Sequence, residues 1–148
     1  MQIRKATLLD ISALAILFDA YRVFYEKTSD FKSAVRFLTE RIERNESEIF
    51  VAETETTQIV GFVQLYPLYS STRMQRLWLL NDLFVLPEFR SKGISIALIE
   101  KSKALCLETN ACGLQLETAK TNNIGNNLYP KTGFELDTEH HFYFWSAV

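Results

Sequence analysis

The sequence predicts one α/β domain, a mixed and mostly antiparallel sheet with helices on both faces. Two observations predict it. The apolar spacing switches along the chain from intervals of three and four to alternation, and back again. An apolar helical run from about Gly93 to Glu108 also joins two β-rich runs, Leu77 to Leu86 and Gly113 to Thr118. That crossover makes the two runs parallel neighbours within a mixed sheet. Residues 1–148 read as a single domain, because no repeat, linker or low-complexity tract divides them and only five Gly and three Pro punctuate the chain.

The elements follow in order. Gln2 to Ala6 open as a short strand, and Asp10 has the chemistry of an N-cap for the next segment. Leu14, Leu17, Phe18, Tyr21, Phe24 and Tyr25 recur at helical intervals. Asp30 caps a second helix whose inward stripe is Val35, Leu38 and Ile42. Ile49 to Ala52, Ile59 to Tyr66 and Leu77 to Leu86 are strands, with a polar turn at Glu53 to Thr57. The crossover helix carries Ile94, Ala97, Leu98, Ala104 and Leu105, and the strand after it Leu114 and Leu116. Asn122 to Tyr129 is a short helix. Phe134 to Leu136 and His141 to Trp145 are expected to close the chain as strands.

Composition narrows the functional classes. Of 148 residues, 47% are apolar and 23% charged, enough for a packed core. Lys plus Arg is 16 and Asp plus Glu 18, a net charge of −2, without the basic excess of a nucleic-acid binder. The longest apolar run, Ala13 to Phe18, falls far short of the ~20 residues that cross a bilayer. Met1 to Lys5 lead into polar alternation rather than an apolar leader, so the expected location is the cytoplasm. Cys106 and Cys112 match neither a zinc spacing nor a redox motif, and His140 and His141 are adjacent on what reads as one strand. No metal is expected, and no Ser/His/Asp arrangement is visible.

The chemistry concentrates in Leu79-Leu80-Asn81-Asp82-Leu83-Phe84-Val85-Leu86-Pro87-Glu88-Phe89-Arg90-Ser91-Lys92-Gly93-Ile94-Ser95. A buried strand runs into a loop stopped by Pro87, and a glycine opens a helix. The first turn of a helix presents unpaired N–H groups with positive partial charge, and Arg90 and Lys92 add formal charge. Small residues there let a phosphate approach the backbone. By itself, such a segment is equally a strand-to-helix turn with a solvated basic face.

This stretch resembles motif A of the GNAT N-acetyltransferases, Arg/Gln-x-x-Gly-x-Gly/Ala after an apolar strand and a Val-x-Pro step. Asn122, Gly125, Leu128-Tyr129 and Gly133-Phe134 are similar to that family's later Asn-x-x-Ala-x-x-Leu-Tyr-x-x-x-Gly-Phe segment, in the same order and with the same elements between. Trp78 to Val85 looks most like the histone/polyamine-acetyltransferase-like branch. The resemblance implies a GNAT-type domain whose fourth and fifth strands splay apart around acetyl-CoA. It implies that the backbone of Phe84 and Val85 pairs with the pantetheine arm. The N–H groups of Arg90, Ser91, Lys92, Gly93, Ile94 and Ser95 would hold the pyrophosphate. Asn122, or its neighbour Asn123, would bond a pantetheine amide, and Tyr129 would sit near the sulfur. The chain departs from the pattern at Ser95 for Gly or Ala, at Gly125 for Ala, and at Pro130, which disfavours helical dihedrals at Tyr129.

The implied reaction is direct transfer of acetyl from a thioester to a primary amine of a small molecule or peptide. The amine must lose a proton, the developing oxyanion needs a donor, and the leaving thiolate gains from an acid. Tyr129 is the candidate acid. Asp82 is the candidate base, a carboxylate on a central strand where burial raises its pKa; the alternatives are a bulge-stabilising Asp and a water chain. Glu117 is a second candidate base, or a sheet-face residue. Tyr21, Tyr25, Glu26, Asp30, Tyr66 and Tyr69 border the acceptor side in this resemblance, although Tyr21 and Tyr25 also continue the core stripe. Trp78, beside Arg76, reads as packing. Two other functions compete with catalysis: a non-catalytic acyl-CoA-binding module, and an interaction domain that has lost its cofactor. His141 to Trp145 is aromatic on both alternating faces, so a homodimer that buries this segment is expected.

Overall fold

Alternation along the strands sorts the side chains of residues 1–117 onto two faces of one sheet. β1 (Gln2–Lys5), β2 (Glu48–Glu53), β3 (Ile59–Ser70), β4 (Gln75–Val85) and β5 (Leu114–Gln115) lie in that order. All pairs are antiparallel except the parallel β4–β5 pair. Ile49, Val51, Phe62 and Phe84 join Leu14, Leu17, Phe18 and Leu38 of α1 (Ile11–Phe24) and α2 (Phe31–Glu43) in one core cluster. The intervening residues meet α3 (Ile94–Glu108) instead. Lys101 lies 5.4 Å from the Phe50 ring, and a Cβ on Gly61 would meet the Ile94 side chain at 3.5 Å. Both faces are therefore covered, as the helical and alternating patterns require.

The computed structural model describes all residues, 1–148, in two compact units: 1–117, and 118–148 with α4 (Asn123–Lys131). Within the first unit, Asp30 caps α2 as expected, its side chain accepting the Ser33 N–H at 3.0 Å. Asp10 does not cap α1. Thr7 begins a 3-10 turn, Leu8–Asp10, that runs directly into α1, and Asp10 closes the capping box by accepting the Thr7 N–H at 2.8 Å. The same carboxylate takes two hydrogen bonds from Arg4, at 2.8 and 2.9 Å, and Arg4 also reaches Glu53 at 2.9 Å.

The Arg4 hydrogen bond is the main reason the Asp10 carboxyl is held at about 2. Its folded pKa lies below its unfolded value of ~4, so the contribution, about 2 kcal/mol, is complete above pH ~4 and lost as pH falls toward 2. Asp10→Asn should therefore flatten the acid side of a stability-against-pH curve measured by urea unfolding. An unchanged acid limb would show that the clamp adds nothing.

Two expectations at the C-terminal end are corrected. Phe134 to Leu136 and His141 to Trp145 are not strands: no residue after Lys131 belongs to a helix or a sheet. Their sequence is β-prone, but a strand exists only where another strand supplies a ladder. Pro130, in turn, does not end α4 at Tyr129, since the helix runs on to Lys131. The Thr132 N–H closes the last turn on the Leu128 and Tyr129 carbonyls at 3.2 and 3.0 Å, and Gly133 follows with φ 86°.

Candidate active site

Asn81 marks a break in the sheet. Gln64 pairs with Asp82 but Leu65 pairs with Leu80, so Asn81 is the extra residue of a β-bulge in β4. The parallel partner ends at the same place. β5 pairs Leu114 with Trp78 and Gln115 with Leu79, and nothing beyond, while β4 continues to Val85. From Leu80 onward, β4 therefore has a strand on its β3 side only.

The register decides which backbone groups line this open edge. The Leu86 N–H bonds the Val60 carbonyl at 2.9 Å, so in an antiparallel ladder Phe84 exchanges its bonds with Phe62. Leu83 and Val85 then point their N–H and C=O groups outward. The sequence singled out Phe84 and Val85; the register hands the Phe84 position to Leu83. The Val85 carbonyl accepts Arg90 Nε at 2.9 Å, and the Arg90 guanidinium lies 5.5 Å from the Phe84 ring. Arg90 thus ties the following loop to the end of β4.

That loop is a row of donors. The Arg90 N–H turns back to the Pro87 carbonyl at 3.2 Å, and the first helical bond of α3 is Ala97 N–H to Gly93 C=O. Between them, the N–H groups of Ser91, Gly93, Ile94, Ser95 and Ile96 have no backbone acceptor, and Lys92 closes a turn over Arg90 and Ser91. Ser91 and Gly93 both have positive φ, 60° and 79°, which turns successive N–H groups toward a common side. Lys92 is held along the loop, its Nζ bonded to the Glu88 carbonyl at 3.2 Å. A Cβ at Gly93 would meet nothing within 4 Å.

Asp82 sits beside the bulge, 4% exposed. It accepts Gln64 Nε2 at 2.7 Å and Asn81 Nδ2 at 3.0 Å, and no Lys or Arg pairs with it. Gln64 is fully buried, and its Oε1 accepts Ser47 Oγ at 2.8 Å, which fixes the amide orientation. Burial pushes the Asp82 carboxyl upward, opposed in part by hydrogen bonds from Gln64, Tyr21 and Asn81. Burial likewise raises the Tyr66 hydroxyl, reinforced by the negative charge of Asp82. Tyr21 continues the core stripe as expected: its ring packs on Phe62 and Phe84, and its hydroxyl donates to the Asn81 carbonyl at 3.2 Å. Gln64 and Ser47 were not singled out from sequence. The available signal was a lone amide in the apolar run from Ile59 to Leu65.

Other expected residues lie elsewhere. Glu117 is exposed. Tyr69 is 73% exposed and accepts Arg76 Nη2 at 3.0 Å, while Trp78 packs inward and donates Nε1 to Thr109 at 2.9 Å. Asp30 is the cap of α2, and Glu26 is an exposed turn residue with φ 62°.

In the unit 118–148, Asn122 is the N-cap of α4. Its Oδ1 accepts the Gly125 N–H at 3.1 Å and its Nδ2 donates to Thr118 Oγ1 at 3.0 Å. Asn123 begins the helix, exposed. Gly125 has a reason to lack a side chain: a Cβ would come within 2.7 Å of Asn122 Nδ2 and 3.1 Å of the Tyr129 ring. The Tyr129 ring is half-buried and meets Phe134 edge-on at 5.7 Å.

The strand edge opened at a bulge and the N–H groups at the start of α3 are donors of the kind a phosphate accepts from, and Asp82 is a buried carboxylate on the same strand. The acetyltransferase (GNAT) family model matches residues 13–134. The chain belongs to the GNAT family. It is 43% identical over 138 residues to the uncharacterized N-acetyltransferase YhfO of Bacillus subtilis, covering 93% of this chain and 92% of the relative. A probable acetyltransferase of Haemophilus influenzae is 36% identical over 137 residues, with 93% and 92% covered. The crystal structure of a probable acetyltransferase superposes with a TM-score of 0.96 at 35% identity, covering 100% of this chain and 99% of the other. This GNAT protein is an N-acetyltransferase, and its five-stranded sheet with one parallel pair is the fold of that family. None of its helices is long and apolar enough to cross a membrane.

Proposed function

We propose that this GNAT enzyme is cytoplasmic and transfers acetyl from acetyl-CoA to a primary amine of a small molecule or peptide. The observation that carries this reading is the open β4 edge ending in five unpaired N–H groups. The residues present fit the cofactor. Ser91 to Ser95 offer donors and the positive end of α3 to a pyrophosphate, and the outward groups of Leu83 and Val85 offer a strand edge to an amide-bearing arm. Asn122 retains one amide proton and one lone pair for a further amide. Acetyl-CoA, when bound, supplies the activated acyl group.

The chain's own residues would manage the protons. A lysine-like ammonium outnumbers its free amine by about three powers of ten at neutral pH. Asp82, buried and without a cationic partner, favours that ammonium and accepts its proton, and its raised pKa suits the exchange. The rings of Tyr21 and Tyr66 add an aromatic wall that suits a cation. Tyr129 donates a proton to the departing sulfur. The test is release of free thiol from acetyl-CoA with a panel of amines: thiol release that requires a primary amine supports the reading. Binding of CoA with no release for any amine would make the protein an acyl-CoA-binding module instead.

Gly93 isolates the cofactor half. Its φ of 79° makes Gly93→Val strained in any environment, so lost binding in that variant would be ambiguous. Asn tolerates this conformation, and the surrounding space is open. Gly93→Asn should fold normally and weaken CoA binding by calorimetry about tenfold or more, because its side chain enters the path of the phosphates. Unchanged CoA affinity in a folded Gly93→Asn protein would remove the loop from the site.

A further inference from the structure

A fully buried amide stands in the apolar run of β3. Gln64 lies directly across from Asp82 in the β3–β4 register, at the last pair before the bulge. An amide in a core is costly unless its hydrogen bonds are made, and a leucine there would carry no such cost. The Gln64 Nε2 donates to Asp82 Oδ2 at 2.7 Å, and its Oε1 accepts Ser47 Oγ at 2.8 Å. Ser47, just ahead of β2, is itself buried.

The two oxygens of Asp82 are held differently. Oδ2 meets the buried Gln64 amide, whereas Oδ1 accepts Nδ2 of Asn81, an exposed residue at the bulge. The Oδ1 side therefore borders a group that an incoming amine can displace. The Tyr21 hydroxyl from α1 and Tyr66 from β3 also face the carboxylate. Arg41 from α2 and Glu46, which pair with each other at 2.7 Å, act on Tyr66.

We infer that Gln64 is a positioning residue of this enzyme: it anchors Asp82 Oδ2 and leaves Oδ1 as the oxygen that takes the amine's proton, while Ser47 fixes which end of the amide meets the carboxylate. The inference rests on Asp82 being the base. Orientation matters because an amide has a donor end and an acceptor end. Turned over, Gln64 would set Oε1 against Oδ2, two acceptors at hydrogen-bond distance, which only a protonated Asp82 could satisfy. The Ser47 hydroxyl, donating to Oε1, opposes that turn. Gln64 thus favours the charged carboxylate, the form able to accept a proton, against the burial that disfavours it. The proton passes from the ammonium nitrogen to Oδ1, leaving a neutral amine and a carboxylic acid whose Oδ2 keeps its bond to Gln64.

Gln64→Met keeps roughly the side-chain length and removes both ends of the amide. Two readouts separate this inference from the base assignment beneath it. The first is a carbon-13 titration of the Asp82 carboxyl in the full chain without ligand, its signal identified by its absence in Asp82→Asn. Without the donor, the carboxyl should bind its proton about tenfold more tightly, the usual weight of a hydrogen bond to a charged group. The second is the single-turnover rate with acetyl-CoA and a primary amine accepted in the thiol-release panel. Its acid limb should move upward in pH by the same factor, with CoA affinity unchanged. Ser47→Ala should shift both readouts in the same direction by about threefold, and should add nothing in a Gln64→Met background. A merely structural amide would lower stability without moving either titration. If Gln64→Met does not fold, Ser47→Ala carries the same test. An unmoved Asp82 titration in the folded variant overturns the proposal and leaves the base assignment intact. A titration that moves while the rate profile stays fixed shows that Asp82 is not the base, and overturns the proposal with it.

Discussion

Asp82→Asn should keep CoA binding and lower turnover by ~10²–10⁴-fold at neutral pH, the usual range for a lost general base. The deficit should shrink as pH rises, because more of the amine then arrives already neutral. Loss of folding is not the expected cause. Burial raises the folded pKa of Asp82 above its unfolded value. The stability it allows is therefore complete below pH ~4 and falls as pH rises toward the folded pKa, so an uncharged Asn should be no less stable at neutral pH. The side-chain oxygen of Asn can still accept Gln64 Nε2, which keeps the Ser47–Gln64 chain in place. Single-turnover rates across pH, with urea unfolding beside them, make the measurement. A deficit of only a few-fold, or one that does not change with pH, would leave proton removal to water or to the substrate.

Tyr129→Phe should also lower turnover, by a comparable factor, but without rescue at high pH. In the proposed reaction the donor it removes would act on the leaving sulfur, after the amine has attacked, so prior neutralisation of the amine would not help. The ring contact with Phe134 survives in a Phe side chain, so α4 should be undisturbed. A wild-type rate and pH profile in Tyr129→Phe would exclude the hydroxyl from the reaction. The same result in both variants would leave the acetyl-CoA site standing with neither residue in the mechanism.

Much of this was legible in local sequence. Leu14, Leu17 and Phe18 announced α1 by their spacing, and they are buried in the core with Phe62 and Phe84. Asp30 announced the start of α2 because a capping oxygen three residues before a free N–H is a local device. Asp82 stood out as a lone carboxylate in an apolar strand, and it is buried. Asp10 was misread because its competitors were not local in the same sense. Thr7 took the cap, and Arg4 and Glu53, on paired strands, took the carboxylate into an ion cluster.

The sequence by itself determined the fold class, the order of helices and strands through α4, and the loop of free N–H groups before α3. These depend on periodicity, on capping and on the dihedrals of Gly and Pro, all of which act within a few residues. Only the tertiary structure decided the bulge at Asn81, the handover of the open edge from Phe84 to Leu83, and the buried chain from Ser47 through Gln64 to Asp82. Each is a matter of register between strands that are distant in sequence, and a shift of one residue exchanges every inward group for an outward one. The terminal aromatic run shows the same limit: its composition fixes a strong preference for a strand, but a strand forms only where a second edge is within reach.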